Sequence, residues 1–483
     1  MPSSRCAHTL SQNKKVERIS NLVTFMKSAT PGQLDTKLVD VWAHPQSSIT
    51  DARFLLVLGA DPRRLYENGY GEMILSERVE SGSICEQCAP KFQSFLDNAD
   101  KIYESQFGQT SIELLKKKSF GANGLVTMSL DGGGMRGLVS VVCLLFASRR
   151  LFGDESLPSH IDWLVGTSTG SMLALALAKG YTLTETFFLY WEMKKEIFLD
   201  TGTLSRLFSN AVDKQTMMLD QTLSRCFGEE DQFISCARRV TVPALDVSTT
   251  PARLHVFRNY PILSADEIVE EVSFRDAARA SSAAPTYFHP HVLNGRKLVD
   301  GSLVANCPLS VLFSEHDRRM KHGLKDNIAC IISIGTGEPK HTERKYKSGS
   351  NFRQRSKHLL HLGELMFEQV VGHEQSVLDS CRDRCHAQQI PFVRISPSGI
   401  NVRIDQIDDG KLMDMLWTTL LYLTEQVAEV DRLGSILLAH QQPPQQQQQQ
   451  HHPNAGNVAA TAAMTTLETP LIENSRKRSN TVL

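Results

Sequence analysis

Apolar and polar positions fall into two textures along the chain, and the change comes at about residue 121. Before it, short helix-period patterns are separated by polar loops, predicting a mostly helical region over residues 1–120. After it, short apolar runs alternate with longer helical ones. Residues 124–130 predict a strand, followed by a glycine loop and an apolar helix over 138–150. A second strand over 161–165 runs into a sharp turn and an alanine-rich helix over 171–178. Further strand-like runs occupy 240–245, 253–257, 297–299 and 328–334. Strands alternating with helices predict an α/β fold, a mainly parallel central sheet covered on both faces. Asp408 and Asp409 stand where a helix would be capped, before the apolar run that starts at Lys411. From residue 441 the chain is glutamine-, proline- and alanine-rich, cannot bury enough surface to fold, and predicts a disordered tail over 441–483.

Composition narrows the function classes. The chain has 483 residues, 41% hydrophobic and 22% charged, with a formal charge of −1, so no overall basic field recruits nucleic acid. No apolar run approaches the roughly 18 residues that span a bilayer. The N-terminus carries Arg5, Lys14, Lys15 and Arg18 without an apolar signal core. A cytoplasmic protein is expected, ahead of the weaker alternative of a mitochondrial presequence. Ten cysteines are scattered, with one C-x-x-C pair, Cys85 and Cys88, and one cluster, Cys381, Cys385 and His386. Zinc sites pair two such half-sites, so reduced thiols and no metal are expected. The acidic loop over 405–410 also fails as a calcium site, because an EF-hand register would place Ile407 and Leu416 at ligand positions.

Three motifs carry candidate chemistry. Gly166-Thr167-Ser168-Thr169-Gly170 is a G-x-S-x-G pentapeptide between a predicted strand and a predicted helix, the setting of a nucleophile elbow. Asp131-Gly132-Gly133-Gly134-Met135-Arg136-Gly137 also joins a strand to a helix, so several N–H groups can converge on a phosphate or on the oxyanion of ester cleavage. Gly132, Gly134 and Gly137 satisfy a dinucleotide fingerprint as well. That fingerprint expects an acid after the next strand, where Gly166 and Ser168 stand instead, so an oxyanion loop fits better. The third element is Asp300-Gly301, after a short strand. In a dry pocket a carboxylate can serve as the base that a serine nucleophile needs; taken alone, the pair is a turn.

Taken together and in this order, the three motifs resemble the patatin-like phospholipase family. Residues 277–288, Ser333-Ile334-Gly335-Thr336-Gly337, Phe257-Arg258-Asn259-Tyr260 and Phe392-Val393-Arg394-Ile395-Ser396-Pro397 extend the likeness over about residues 125–435. Residues 51–62 look like the second helix and turn of an ankyrin repeat, which points to the calcium-independent phospholipase A2 branch. The resemblance implies a three-layer α/β/α catalytic domain over 127–313, continued over 314–440. It implies Ser168 as nucleophile, Asp300 as proton acceptor and Gly132, Gly133 and Gly134 as the oxyanion loop, supported by Arg136, Gly137, Gly166, Gly170 and Gly301, with no cofactor. It also implies cleavage of glycerophospholipid acyl esters at a membrane surface. Calmodulin, through basic residues around Arg382, Arg384 and Arg394, and a homo-oligomer are further implied partners. Lysophospholipase, triacylglycerol lipase or acyltransferase activity with the same dyad remains open, as does a non-catalytic lipid-binding scaffold.

Overall fold

Along strand β1 (Leu125–Leu130) Val126, Met128 and Leu130 point to one side and Leu125, Thr127 and Ser129 to the other, and both sets are buried or half-buried. A strand so covered belongs inside a sheet with helices on both faces. The computed structural model describes residues 12–108, 124–197, 211–264, 267–324, 326–339 and 375–441. The glutamine-rich stretch over 442–450, the Arg476-Lys477-Arg478 cluster and residues 1–11 lie outside them.

The first helices are α1 (Gln12–Met26), α2 (Pro31–Ala43), α3 (Ile49–Val57), α4 (Tyr70–Glu80) and α5 (Ala89–Phe107). After β1 come α6 (Gly137–Phe152), β2 (Trp163–Gly166), α7 (Thr169–Lys179), α8 (Leu183–Ile197) and α9 (Ala211–Phe227). Then follow β3 (Arg239–Asp246), β4 (Arg253–Arg258), α10 (Phe274–Ser281), β5 (His291–Leu293), β6 (Arg296–Asp300), α11 (Ser302–Ala305) and α12 (Leu309–Lys321). The last elements are β7 (Ile328–Ile334), α13 (Gln375–Ala387), β8 (Phe392–Ile395), α14 (Asp409–Glu425) and α15 (Val427–Gln441).

The sheet runs β5-β6-β3-β2-β1-β7-β8, with β4 also on β3. The stretch from β3 to β8 is parallel. β4, β5 and β6 pair antiparallel, because the links β3–β4 and β5–β6 are too short for the dozen or more residues that a parallel crossover needs. One face packs on α6, α7 and α14, and the other, through Trp163, Val165 and Ile331, on Leu312, Phe313 and Cys381 of α12 and α13.

The pairing of β3 decides what the fold can do. Its Arg239–Thr241 half lies beside Trp163–Val165 of β2, and its Ala244–Asp246 half lies beside Asp300–Leu298 of β6. β4 occupies the opposite edge throughout. Strands β2 and β6 therefore approach head to head along one edge of β3, bringing Gly166 and Asp300 together at their tips.

Helices α1 to α5 share one continuous apolar core with α6, α8 and α14. In α3, Thr50 alone is less than fully buried. Phe54 packs 4.5 Å from Trp191 and 5.8 Å from Phe187, centroid to centroid, both on α8. Arg53 reaches Asp414 of α14 at 2.7 Å and lies 4.9 Å over the Trp417 ring. Arg149 of α6 donates to the carbonyls of Val57 and Leu58, each at 2.9 Å, supplying acceptors at the end of α3 with the donors they lack. Truncating Phe54 to alanine is expected to cost about 3–5 kcal/mol of stability. In thermal unfolding this should appear as one cooperative transition at lower temperature; separate melting of a helical part would contradict the shared core. Among the described residues no helix is long and apolar enough to cross a membrane.

Candidate active site

Strand β2 ends on Gly166 and helix α7 begins at Thr169, leaving two residues to reverse the chain. Ser168 absorbs the turn with φ 52° and ψ −123°, a region a side chain rarely adopts and holds only when its surroundings enforce it. The enforcement is visible. Its N–H donates to Ser281 Oγ at 3.0 Å, and that hydroxyl donates to the Pro243 carbonyl at 2.7 Å. The Ser168 carbonyl accepts from the N–H groups of Ser171 and Met172 and from Ser171 Oγ. A Cβ on Gly166 would stand 2.2 Å from the Gly170 carbonyl oxygen, so the elbow closes only without one.

From the tip of β6, Asp300 meets this serine. Ser168 Oγ donates to Asp300 Oδ2 at 2.8 Å, and Ser302 N donates to Asp300 Oδ1 at 2.7 Å. Asp300 is 1% exposed. Loss of water pushes its pKa up to about 6, against the lowering effect of its bonds to Ser302 and Ser168. Gly301, next along, donates its N–H to the Ser281 carbonyl at 3.2 Å, so one serine residue holds both halves of the pair.

The glycine loop after β1 passes over the same spot. Its members do not share one role. Gly132 spends its N–H on the Asn306 carbonyl at 3.1 Å, and its own carbonyl accepts from Thr336 Oγ1 at 3.0 Å. The expectation that Gly132 offers an oxyanion donor is therefore corrected: its amide is already bonded. The amides of Gly133 and Gly134 have no acceptor among the described residues, and both residues line the cavity with Ser168 and Asp300. Gly134 has φ +58°, and a Cβ there would lie 2.4 Å from the Ile404 carbonyl oxygen, which itself accepts from Met135 N at 2.7 Å. Arg136 closes a half-buried helical turn, and Gly137 opens α6 against the Tyr190 ring.

The cavity above the pair is lined mostly by hydrocarbon. Met135, Met172, Met193, Ile197, Leu219 and Phe288 form much of its wall. The polar groups converge at one end, the usual layout of a small-molecule site. Such an arrangement can activate a hydroxyl, accept its proton and stabilise an oxyanion beside an apolar chain.

Several contributors carried no signal of their own in the sequence. Ile404 acts through its backbone carbonyl, which any residue type supplies, and Asn306 through its carbonyl and its Nδ2, which donates to the Gly132 carbonyl at 3.4 Å. Ser281, Thr336 and Arg394 lie in stretches with recognisable wording but no visible role. Arg394 is turned inward, its Nη2 2.6 Å from Asp131 Oδ2 and its Nη1 2.7 Å from Ser333 Oγ. Arg384 is held by Asp317 over the Phe313 ring and Arg382 by Asp379.

The patatin-like phospholipase family model matches residues 128–313. The 85/88 kDa calcium-independent phospholipase A2 of Rattus norvegicus is 30% identical over 346 residues, 65% of this chain and 40% of that protein. The intracellular phospholipase A2 of Caenorhabditis elegans is 28% identical, over 64% of this chain and 29% of its own length. The cGAMP-activated phospholipase of Escherichia coli (strain TW11681) is 32% identical, over 43% of this chain and 61% of its own. This chain thus spans less than half the length of the first two relatives. The solved human GIVD cytosolic phospholipase A2 covers 74% of this chain and 65% of its own, at 13% identity and a TM-score of 0.37, too distant to carry an argument. The chain contains a patatin-like phospholipase domain, residues 128–313, and has relatives named calcium-independent phospholipase A2.

Proposed function

We propose that the protein hydrolyses fatty-acyl esters of glycerophospholipids, with Ser168 as nucleophile and Asp300 as general base. The observation that carries this reading is the 2.8 Å Ser168–Asp300 hydrogen bond at the polar end of an apolar cavity. Ser168 Oγ attacks the ester carbonyl carbon while Asp300 takes its proton. The amides of Gly133 and Gly134, and the N-terminal end of α7, stabilise the oxyanion that forms. Collapse breaks the bond to the glycerol oxygen, which leaves with the proton from Asp300 as a lysophospholipid. Asp300 then activates water, which releases the fatty acid and regenerates Ser168. Every proton and bond in these steps is accounted for by the dyad, the ester and one water, and none calls on a metal. The substrate lies in an aggregate, so the protein works peripherally at a phospholipid surface.

Release of labelled fatty acid from sn-2-labelled phosphatidylcholine vesicles under excess chelator tests the reading. Chelator-resistant release is expected. No release from this lipid, from lysophospholipid or from triacylglycerol, with the protein folded, would overturn it. The pH profile is a second check. Asp300 acts as base only when ionised, so kcat/KM should fall about tenfold per pH unit below about 6. An acid limb centred near 4 would show that burial does not tune this carboxylate.

A further inference from the structure

We propose that Arg394, on strand β8 and outside the residues 128–313 that match the family, is a positioning residue for oxyanion stabilisation, acting through Asp131. The proposal rests on the reading of the Gly133 and Gly134 amides as oxyanion donors. Between the end of β1 and Met135 the chain reads Asp131-Gly132-Gly133-Gly134, and three of these four have no side chain with which to anchor themselves. The loop is held by backbone bonds from Gly132 to Asn306 and from Met135 to Ile404, by the Thr336 hydroxyl on the Gly132 carbonyl, and by its own single anchoring side chain, that of Asp131.

Asp131 is 2% exposed, and it does not line the cavity that holds Ser168 and Asp300. Its carboxylate is turned the other way, against the Arg394 guanidinium at 2.6 Å. Arg394 is fixed in turn by Ser333 Oγ on the neighbouring strand β7, and reaches Asp131 past Gly335, where a Cβ would stand 2.7 Å from Nη2. The planar fork thus ties the first residue of the loop to two parallel strands of the sheet. A buried ion pair is a poor device for stability alone, since apolar residues of similar volume often serve as well. It is a good device for geometry, and oxyanion donors need placement to within about 0.5 Å.

Arg394→Gln, Arg394→Lys and Ser333→Ala are compared with wild type on phosphatidylcholine vesicles. Binding to vesicles of the non-hydrolysable diether lipid and the rate at which a lipid-like fluorophosphonate modifies Ser168 are measured alongside. In that modification Ser168 Oγ bonds to phosphorus, fluoride leaves, Asp300 takes the proton, and the phosphoryl oxygen occupies the oxyanion site. Arg394→Gln should lower kcat and the modification rate about a hundredfold, with KM and diether binding changed less than about threefold. Arg394→Lys keeps the charge but not the fork, and should recover part of the loss. Should Arg394→Gln fail to fold, Ser333→Ala removes one arm alone and should still lower kcat several-fold. A folded Arg394→Gln with wild-type kcat overturns the proposal, as does an unchanged Ser333→Ala where that variant must decide. Equal losses in turnover and in diether binding also overturn it, since they mark a general structural role. Wild type inert toward both ester and fluorophosphonate would instead overturn the reading of the site, and the proposal with it.

Discussion

Asp300→Asn is expected to reduce kcat about a thousandfold and, at neutral pH, to raise the melting temperature. The two effects share one cause. A carboxylate moved from its ordinary 3.8 to about 6 is less favourable ionised in the fold than in the unfolded chain. That difference is on the order of 3 kcal/mol. The folded form binds the extra proton between those values, so this cost is absent below about pH 4, grows as pH rises, and is complete above about 6. Asparagine has nearly the same shape and no charge. It can still accept from Ser302 N, and the Ser168 hydroxyl can turn to accept from its amide. The gain in melting temperature over wild type should therefore be present at pH 8 and vanish toward pH 4. A variant that loses both activity and stability at pH 8 would show that the ionised carboxylate is a structural anchor.

Ser168→Ala should be more severe in activity, a loss on the order of 10⁴–10⁶-fold, because it removes the hydroxyl that donates to Asp300 Oδ2 at the elbow. The elbow should survive, since the bonds that hold residue 168 are made by its backbone. Alanine leaves Asp300 Oδ2 without its donor, which pushes that pKa further up. The variant should thus bind lipid as wild type does and release no fatty acid under chelator. Residual release within tenfold of wild type would place the nucleophile elsewhere.

What the sequence allowed one to read followed from how local each signal is. Strand β1 with its glycine loop and α6, and β2 with its elbow and α7, each lie within about 30 consecutive residues, and apolar periodicity marks both. The Asp408 cap is equally local, and its Oδ1 accepts from Lys411 N at 2.8 Å. Strand β5 was missed because it spans three residues. Yet Asn294 and Gly295, both with positive φ, form the two-residue turn that joins it to β6, and that pair is itself a hairpin signal. The meeting of Ser168 with Asp300 follows from β6 running antiparallel beside β3, a pairing between distant stretches that periodicity does not carry. The fate of the Gly132 amide depends on where a carbonyl 174 residues away comes to rest.

The N-terminal helices and strands β7 and β8 have a consequence for what counts as the smallest working piece of this protein. Residues 128–313 hold Ser168, Asp300 and most of the cavity wall, and they are the part that the family model matches. Excised alone, they would lose the Ile404 carbonyl behind Gly134, the guanidinium behind Asp131 and the helix α3 that backs α8. The segment that the family model matches is thus smaller than the frame around the site, and a version shortened to it would keep the reacting groups and lose their supports.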